Sequence, residues 1–248
     1  MENNEIINEF IEKFINIKNK GWIKSHRIHD TGIGKTFEDE MGIDENNSEN
    51  SDFKDLIEIK TQRGQSSSRV TLFTKSPKPT GINTEIKEKY GQVNEKGFKE
   101  IHTTFDAVKF NSYKNIYGFK LNVDEIEEKI EIYVKDFNSN EVNNIAHYDF
   151  ETLKTKLTNK HKNLAYIGTK NDKREDGEYF KYETLHLFSN ISFEKFISLV
   201  KRGDIVYDIR IGTYNRGKNK GKTHDHGSGF RCTASILNEM FEDEKIIN

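Results

Sequence analysis

Asp52-Phe53-Lys54-Asp55-Leu56-Ile57-Glu58-Ile59-Lys60-Thr61 is the stretch on which the reading of this chain turns. Within Leu56 to Thr61, apolar and polar residues alternate as they do in a half-buried strand. Side chains two apart share a strand face, so Glu58 and Lys60 point one way while Ile57 and Ile59 point into the core. Asp52 enters from the preceding turn and meets Glu58 at one end of that face. Two carboxylates suit Mg²⁺, which keeps several waters and binds few protein groups. A lysine beside them can hold or activate an attacking water, which is the equipment for metal-assisted phosphodiester hydrolysis. The spacing alone is weak, because 32% of the residues are charged and a loose D…E-x-K pattern arises by chance. The bland alternative is a solvated acidic turn followed by an ordinary edge strand.

Composition narrows the choice. The 248 residues fit one large domain or two lobes sharing a core. Hydrophobic residues make up 33% and mean hydropathy is −0.85, yet 11% aromatic content and frequent isoleucine argue for a folded α/β chain. No apolar run reaches the length of a membrane helix, and MENNEIINEF lacks the basic start and apolar block of a secretion signal. The single cysteine, Cys232, rules out an intramolecular disulfide framework and reads as a small buried residue. A cytoplasmic protein with no membrane partner is expected. The net charge of −2 hides a strong polarity: residues 35–58 carry nine acids against two lysines, whereas 60–79 carry five basic residues and no acid. Residues 209–231 add six Lys or Arg against one Asp. An acidic pocket rimmed by basic segments is what a metal-dependent nuclease needs.

Along the chain, Ile7, Phe10, Ile11, Phe14 and Ile15 predict an amphipathic helix over 4–18. A short helix over 34–41 turns Phe37 and Met41 inward and Glu38 toward the pocket. The strand 56–61, the Gly/Ser turn 63–68 and the run Val70–Phe73 predict an antiparallel hairpin beside the active centre. Residues 80–115 have no clear periodicity. Strands are expected over 117–123, 129–134, 164–167, 179–188 and 205–211. Helices are expected from Asp149 to about residue 158, from Ser192 to a stop at Gly203, and briefly at the C-terminus. Neither a repeat nor a linker forces a domain boundary.

Four further patterns carry competing chemistry. Gly32-Ile33-Gly34-Lys35-Thr36 imitates the end of a Walker A loop, but the first glycine of that pattern is replaced by His29. Asp44-x-Asn46-x-Ser48-x-Asn50 resembles a calcium loop but has Glu49 for the glycine and Asp55 at the twelfth position. His224 and His226 could be a metal pair; flanked by Lys218, Lys220, Lys222 and Arg231, they are better suited to phosphates and base edges. Asp208 and Arg210 share a strand face. Aspartate can accept from cytosine N4 and arginine can fork onto guanine, so with Arg231 they could read C·G pairs. An internal Asp–Arg ion pair is the alternative.

With both clusters in view, TGIGKTFED, DFKDLIEIKT, TLFTKSPKP and DIRIGTYNRGKNKGKTHDHGSGFR, in that order, resemble the MvaI/BcnI family of type II restriction endonucleases. The resemblance covers most of the chain. It implies a PD-(D/E)XK restriction-endonuclease-like α/β fold, a mixed sheet flanked by helices, with two lobes forming a DNA-binding cleft. The catalytic lobe would centre on residues 1–80 and the recognition lobe would be built mainly from 81–248. The family pattern implies Asp52, Glu58 and the additional acid Glu38 as Mg²⁺ ligands, with Lys60 as the lysine near the nucleophilic water. Asp208, Arg210, His224, His226 and Arg231 match positions that contact bases or phosphates, beside the basic Lys218, Lys220 and Lys222. Ser51 stands where a proline usually precedes the first aspartate, and the gap to Glu58 is one residue longer, which makes Asp55 an alternative ligand. Implied too are a monomer, duplex DNA nicked one strand at a time at a CCNGG-type site with CC(A/T)GG favoured, and a cognate DNA methyltransferase. Two rivals share the sequence features: a mismatch-repair type nickase and a DNA-binding protein with a degenerate nuclease centre.

Overall fold

The structure, a computed structural model, describes residues 2–44, 50–63 and 69–248. In chain order its elements are α1 (Glu2–Asn19), β1 (Ile23–Lys24), α2 (Gly32–Met41), β2 (Ile57–Arg63), β3 (Val70–Thr74), α3 (Ile82–Tyr90), β4 (Gln92–Val93), β5 (Lys99–Phe105), β6 (Tyr117–Asp124) and β7 (Lys129–Asp136). Then follow β8 (Val142–Asp149), α4 (Phe150–Lys160), β9 (Asn163–Arg174), β10 (Gly177–Ile191), α5 (Phe193–Arg202), β11 (Ile205–Thr213), β12 (Thr223–Asp225), β13 (Gly229–Cys232), a 3₁₀ segment (Ala234–Met240) and β14 (Phe241–Ile247). None of the described helices is long and apolar enough to cross a membrane.

The chain divides into two compact units, one of Met1–Ser68, Leu157–Ser192 and Asn238–Asn248, the other of Arg69–Lys156 and Phe193–Leu237. The division is therefore not a single cut near residue 80. The unit that holds Asp52 and Glu58 also takes β9, β10 and β14 from far along the chain, because β2 needs partners that its sequence neighbours do not supply.

Among the described residues, the first unit is built on a mixed sheet ordered β1-β10-β9-β2, with β14 on the other half of the β10 edge that β1 occupies. β2 runs parallel to β9, with Ile57 opposite Asn163 and Lys60 opposite Tyr166. The predicted hairpin of β2 with β3 is not formed: β3 pairs with β13 in the other unit. The turn expected to join them, 64–68, lies outside the described residues, as do 45–49 of the calcium-like loop. One face of the sheet is apolar and is covered by Phe10, Phe14 and Ile17 of α1 and by Ile33, Phe37 and Met41 of α2. Each such side chain contributes about 1.5–3 kcal/mol on burial, so these two helices hold the sheet by packing. Tyr182 Oη donates to Ile33 O at 2.9 Å and fixes α2 against β10. The Walker-like Gly32–Thr36 is thus the first turns of α2, not a loop that could wrap phosphates. Gly32 is required there, since a Cβ would meet Arg27 O at 2.4 Å.

The second unit pairs β3-β13-β11-β5-β4, with β12 also on β11, and carries a separate meander β6-β7-β8. Ile205, Tyr207, Ile209 and Ile211 of β11 face the core as the alternation predicts. Tyr207 Oη meets Tyr148 Oη at 2.7 Å in the interior, and Tyr148 also reaches Lys75 O at 2.6 Å.

Candidate active site and polar sheet face

The active-site candidate sits where the 53–57 turn feeds β2. Phe53 N donates to Ile57 O at 2.9 Å and Ile57 N returns to Phe53 O at 3.1 Å. Closing so tight a loop puts Lys54 and Asp55 in the left-handed region, at φ 50 and 55. This reversal accommodates the long gap and folds Asp52 back beside the strand, where its Oδ2 accepts from Ile59 N at 2.8 Å. Asp55 points to solvent at the tip of the turn, so Asp52 is the acid presented to Glu58. The ring of Phe53 packs edge-on against Phe10, 5.2 Å between centroids, and anchors the turn in the core.

Glu58 is only 1% exposed, on the sheet face opposite Ile57 and Ile59. An isolated buried carboxylate would cost several kcal/mol, so its charge has to be answered locally. Lys60 answers at Oε1. Lys160, at the C-terminal end of α4, answers at Oε2 from 3.1 Å. Oε2 nevertheless makes no hydrogen bond and remains a buried acceptor with spare capacity. Burial first, and the charge of Glu58 second, raise Asp52 above the ordinary carboxylate range, with Lys60, Ile59 N–H and Lys160 opposing. Two close acids, one with a buried oxygen that accepts no hydrogen bond, fit a hard divalent cation that needs few protein oxygens. The residues present therefore suit Mg²⁺.

Glu38 has a different setting. It stands half-buried on α2 and lines a cavity of about 370 Å³ with Arg27, Asp30, Lys35 and Thr61. Thr61 belongs to the face of β2 that α2 covers, whereas Glu58 and Lys60 project from the other. Among the described residues no group of three or more His, Cys, Asp or Glu gathers as a metal site. The structure thus brings Asp52, Glu58 and Lys60 together and does not make a three-acid set with Glu38.

Two residues with no role assigned from the sequence complete this corner. Ser51, 3% exposed, donates to Lys160 O at 3.0 Å and so ties the Asp52 turn to the end of α4. Lys160 lies just past the expected end of that helix, and no periodic signal marks it.

In the second unit, Asp208, Arg210, Arg231 and His224 share one polar sheet face. Asp208 lies opposite Thr104 and Arg210 opposite His102 on β5, while His224 of β12 lies opposite Gly212. Asp208 Oδ1 accepts from Thr104 Oγ1 at 2.8 Å and Oδ2 lies 3.0 Å from Arg231 Nε. Arg210 Nε is 4.0 Å away and its side chain is 46% exposed, so Asp208 pairs chiefly with Arg231. Burial lowers Arg231, opposed by Asp208 and aided by Arg210. His226 N donates to Arg210 O at 2.7 Å, and its ring lies across β11, where a Cβ on Gly212 would meet Nε2 at 2.9 Å. His224 stacks on Tyr214 with centroids 4.0 Å apart, and His226 lies 4.0 Å from His224 and 6.1 Å from His102. Partial burial first, then the His224 and His102 imidazoles, lower His226 below its ordinary value. Lys218, Lys220 and Lys222 are exposed on the loop between β11 and β12, closed by Tyr214 N to Lys222 O at 2.9 Å. His102 and Thr104 escaped the sequence reading because 80–115 carries little periodicity; their β5 is recognisable only beside β11.

A mixed sheet flanked by helices, with an aspartate turn leading into a Glu-x-Lys strand, is the architecture of the PD-(D/E)XK nucleases. Residues 11–241 match the model of the MvaI/BcnI restriction endonuclease family, and the chain belongs to that family. It is similar to restriction endonuclease MvaI in complex with its cognate DNA substrate, at TM-score 0.89 and 36% identity over 98% of this chain and 99% of that one. Against MvaI in the absence of DNA the TM-score is 0.66, again at 36% identity, with 98% of each chain covered. No curated protein sequence matches the chain. Family membership makes the protein a hydrolase of the restriction-endonuclease kind.

Proposed function

We propose that the chain cuts double-stranded DNA by Mg²⁺-dependent hydrolysis at a CCNGG-type site, with CC(A/T)GG favoured. It acts as a cytoplasmic monomer that nicks each strand in turn, alongside a cognate DNA methyltransferase. The observation that carries the catalytic part is Glu58, buried yet charged-paired on both oxygens, with Asp52 pinned beside it and Lys60 on the same strand face. Asp52 and Glu58 would hold Mg²⁺, whose chemistry when bound is Lewis-acid polarisation of the phosphodiester. Lys60 holds the attacking water. Packing of Phe53 and the Ile59 N–H fixes Asp52, so the acids are placed before DNA arrives. For readout, exposed Arg210 is equipped to fork onto guanine, and Asp208, aimed by Arg231 and Thr104, can accept from cytosine. His224, His226 and the three loop lysines supply phosphate contacts.

The test is incubation of the purified chain with plasmid in Mg²⁺ and in EDTA, with the ends mapped by run-off sequencing. Discrete bands only in Mg²⁺, ending within CCNGG, are expected. Cutting that persists in EDTA, or ends at unrelated sequences, would overturn the reading.

A further inference from the structure

We infer that Lys160 is a positioning residue that serves as a resident counter-ion for Glu58 and restrains divalent-metal binding until DNA is present. The inference rests on the reading of Asp52 and Glu58 as metal-holding acids. Lys160 Nζ lies 3.1 Å from Glu58 Oε2, the oxygen that makes no hydrogen bond, while Lys60 takes Oε1. The formal charges of Asp52, Glu58, Lys60 and Lys160 sum to zero, so two ammonium groups compensate a carboxylate that is 1% exposed.

Lys160 is also held where it is needed. Ser51 Oγ donates to Lys160 O at 3.0 Å and to Asn159 O at 3.4 Å, so the residue before Asp52 grips the backbone that carries the lysine. Just beyond, Asn163 Nδ2 donates to Leu56 O at 3.2 Å and Ser189 Oγ holds Asn163 Oδ1 at 2.8 Å. The end of α4 and the start of β9 therefore form one platform under both acids. A divalent cation entering here must displace or tolerate a cation already facing Glu58. Its binding is weakened in the free protein, and the negative charge of a DNA phosphate offsets the surplus positive charge.

The test is Mn²⁺ binding to the DNA-free protein, followed by the loss of the free-ion electron paramagnetic resonance signal. Lys160→Met should bind Mn²⁺ about tenfold more tightly, the size expected from removing one nearby charge in a partly hydrated site. Lys160→Arg should match the wild type. A folded Lys160→Met with unchanged or weaker Mn²⁺ binding would overturn the inference. Should Lys160→Met not melt cooperatively, Lys160→Gln gives the same reading; failure of both to fold would assign the lysine to stability and also overturn it. Wild-type protein that binds no Mn²⁺, or a Glu58→Gln variant that binds it as well as wild type, would instead sink the assignment of the metal site itself.

Discussion

Asp52 Oδ2 accepts a hydrogen bond from the backbone N–H of Ile59 at 2.8 Å, so the turn acid is fastened to the strand residue between Glu58 and Lys60. That bond offsets part of the repulsion between Asp52 and Glu58 and fixes the turn acid beside the strand.

Asp52→Asn should therefore stabilise the metal-free protein while abolishing cleavage. Burial and Glu58 raise the Asp52 pKa above its unfolded value. Between the unfolded value of 3.8 and the folded one, the native state binds more protons, so stability falls as pH rises through that window and stays reduced above it. An amide removes the charge and can still accept from Ile59. A gain of about 1 kcal/mol, or roughly 2–4 °C in Tm for a chain of this size, is expected in EDTA at pH 7. Calorimetry checks it, and an unchanged or lower Tm would refute the electrostatic account.

Lys60→Ala should slow single-turnover cleavage by about 10²–10⁴, the range for a group that manages a proton or water in the transition state. Binding to duplex DNA in Ca²⁺ should stay close to wild type, measured by gel shift. Normal cutting by this variant would remove Lys60 from the centre. Lys160 still faces Glu58, so the fold should survive.

How much of this was readable in advance depended on where each element finds its partners. The Phe10 and Phe14 stripe of α1 and the inward isoleucines of β11 are visible because each is set by one regular apolar face. Glu58 and Lys60 on one face follow from the pleat alone. β14 was missed since Glu242 to Lys245 are all exposed and its register comes from backbone pairing with β10. The supposed β2–β3 hairpin failed for the same reason in reverse: local turn residues suggested a pairing, but β9 supplies the real neighbour of β2. Lys160 and His102 carry no pattern at all, because only tertiary contacts bring them to Glu58 and His226.

Asp208 and Arg210 should separate sharply under mutation although they share a strand face. Arg210 is half exposed, so Arg210→Ala should leave stability within about 0.5 kcal/mol of wild type. It should cost about 1–3 kcal/mol of discrimination at a C·G pair, about fivefold to 150-fold, in competition gel shifts. Asp208→Ala should also destabilise the fold by about 1–3 kcal/mol, because Arg231 loses its counter-charge and Thr104 its acceptor. Equal stability losses in urea melts would contradict this division.

The histidines predict a pH dependence of DNA binding rather than of folding. Partial burial and two neighbouring imidazoles hold the His226 pKa below 6.5, so at pH 7.5 the ring is neutral. As pH falls through that lowered value the ring gains charge, and a phosphate nearby would favour the protonated form. Affinity for cognate duplex in Ca²⁺ should therefore rise from pH 7.5 to 5.5 by more than it does in His226→Gln. Gly212→Ala should blunt the same rise, since its Cβ would meet the ring nitrogen at 2.9 Å and push the imidazole off β11. Fluorescence anisotropy at several pH values measures both. Identical pH profiles for wild type and His226→Gln would place this imidazole away from the phosphates.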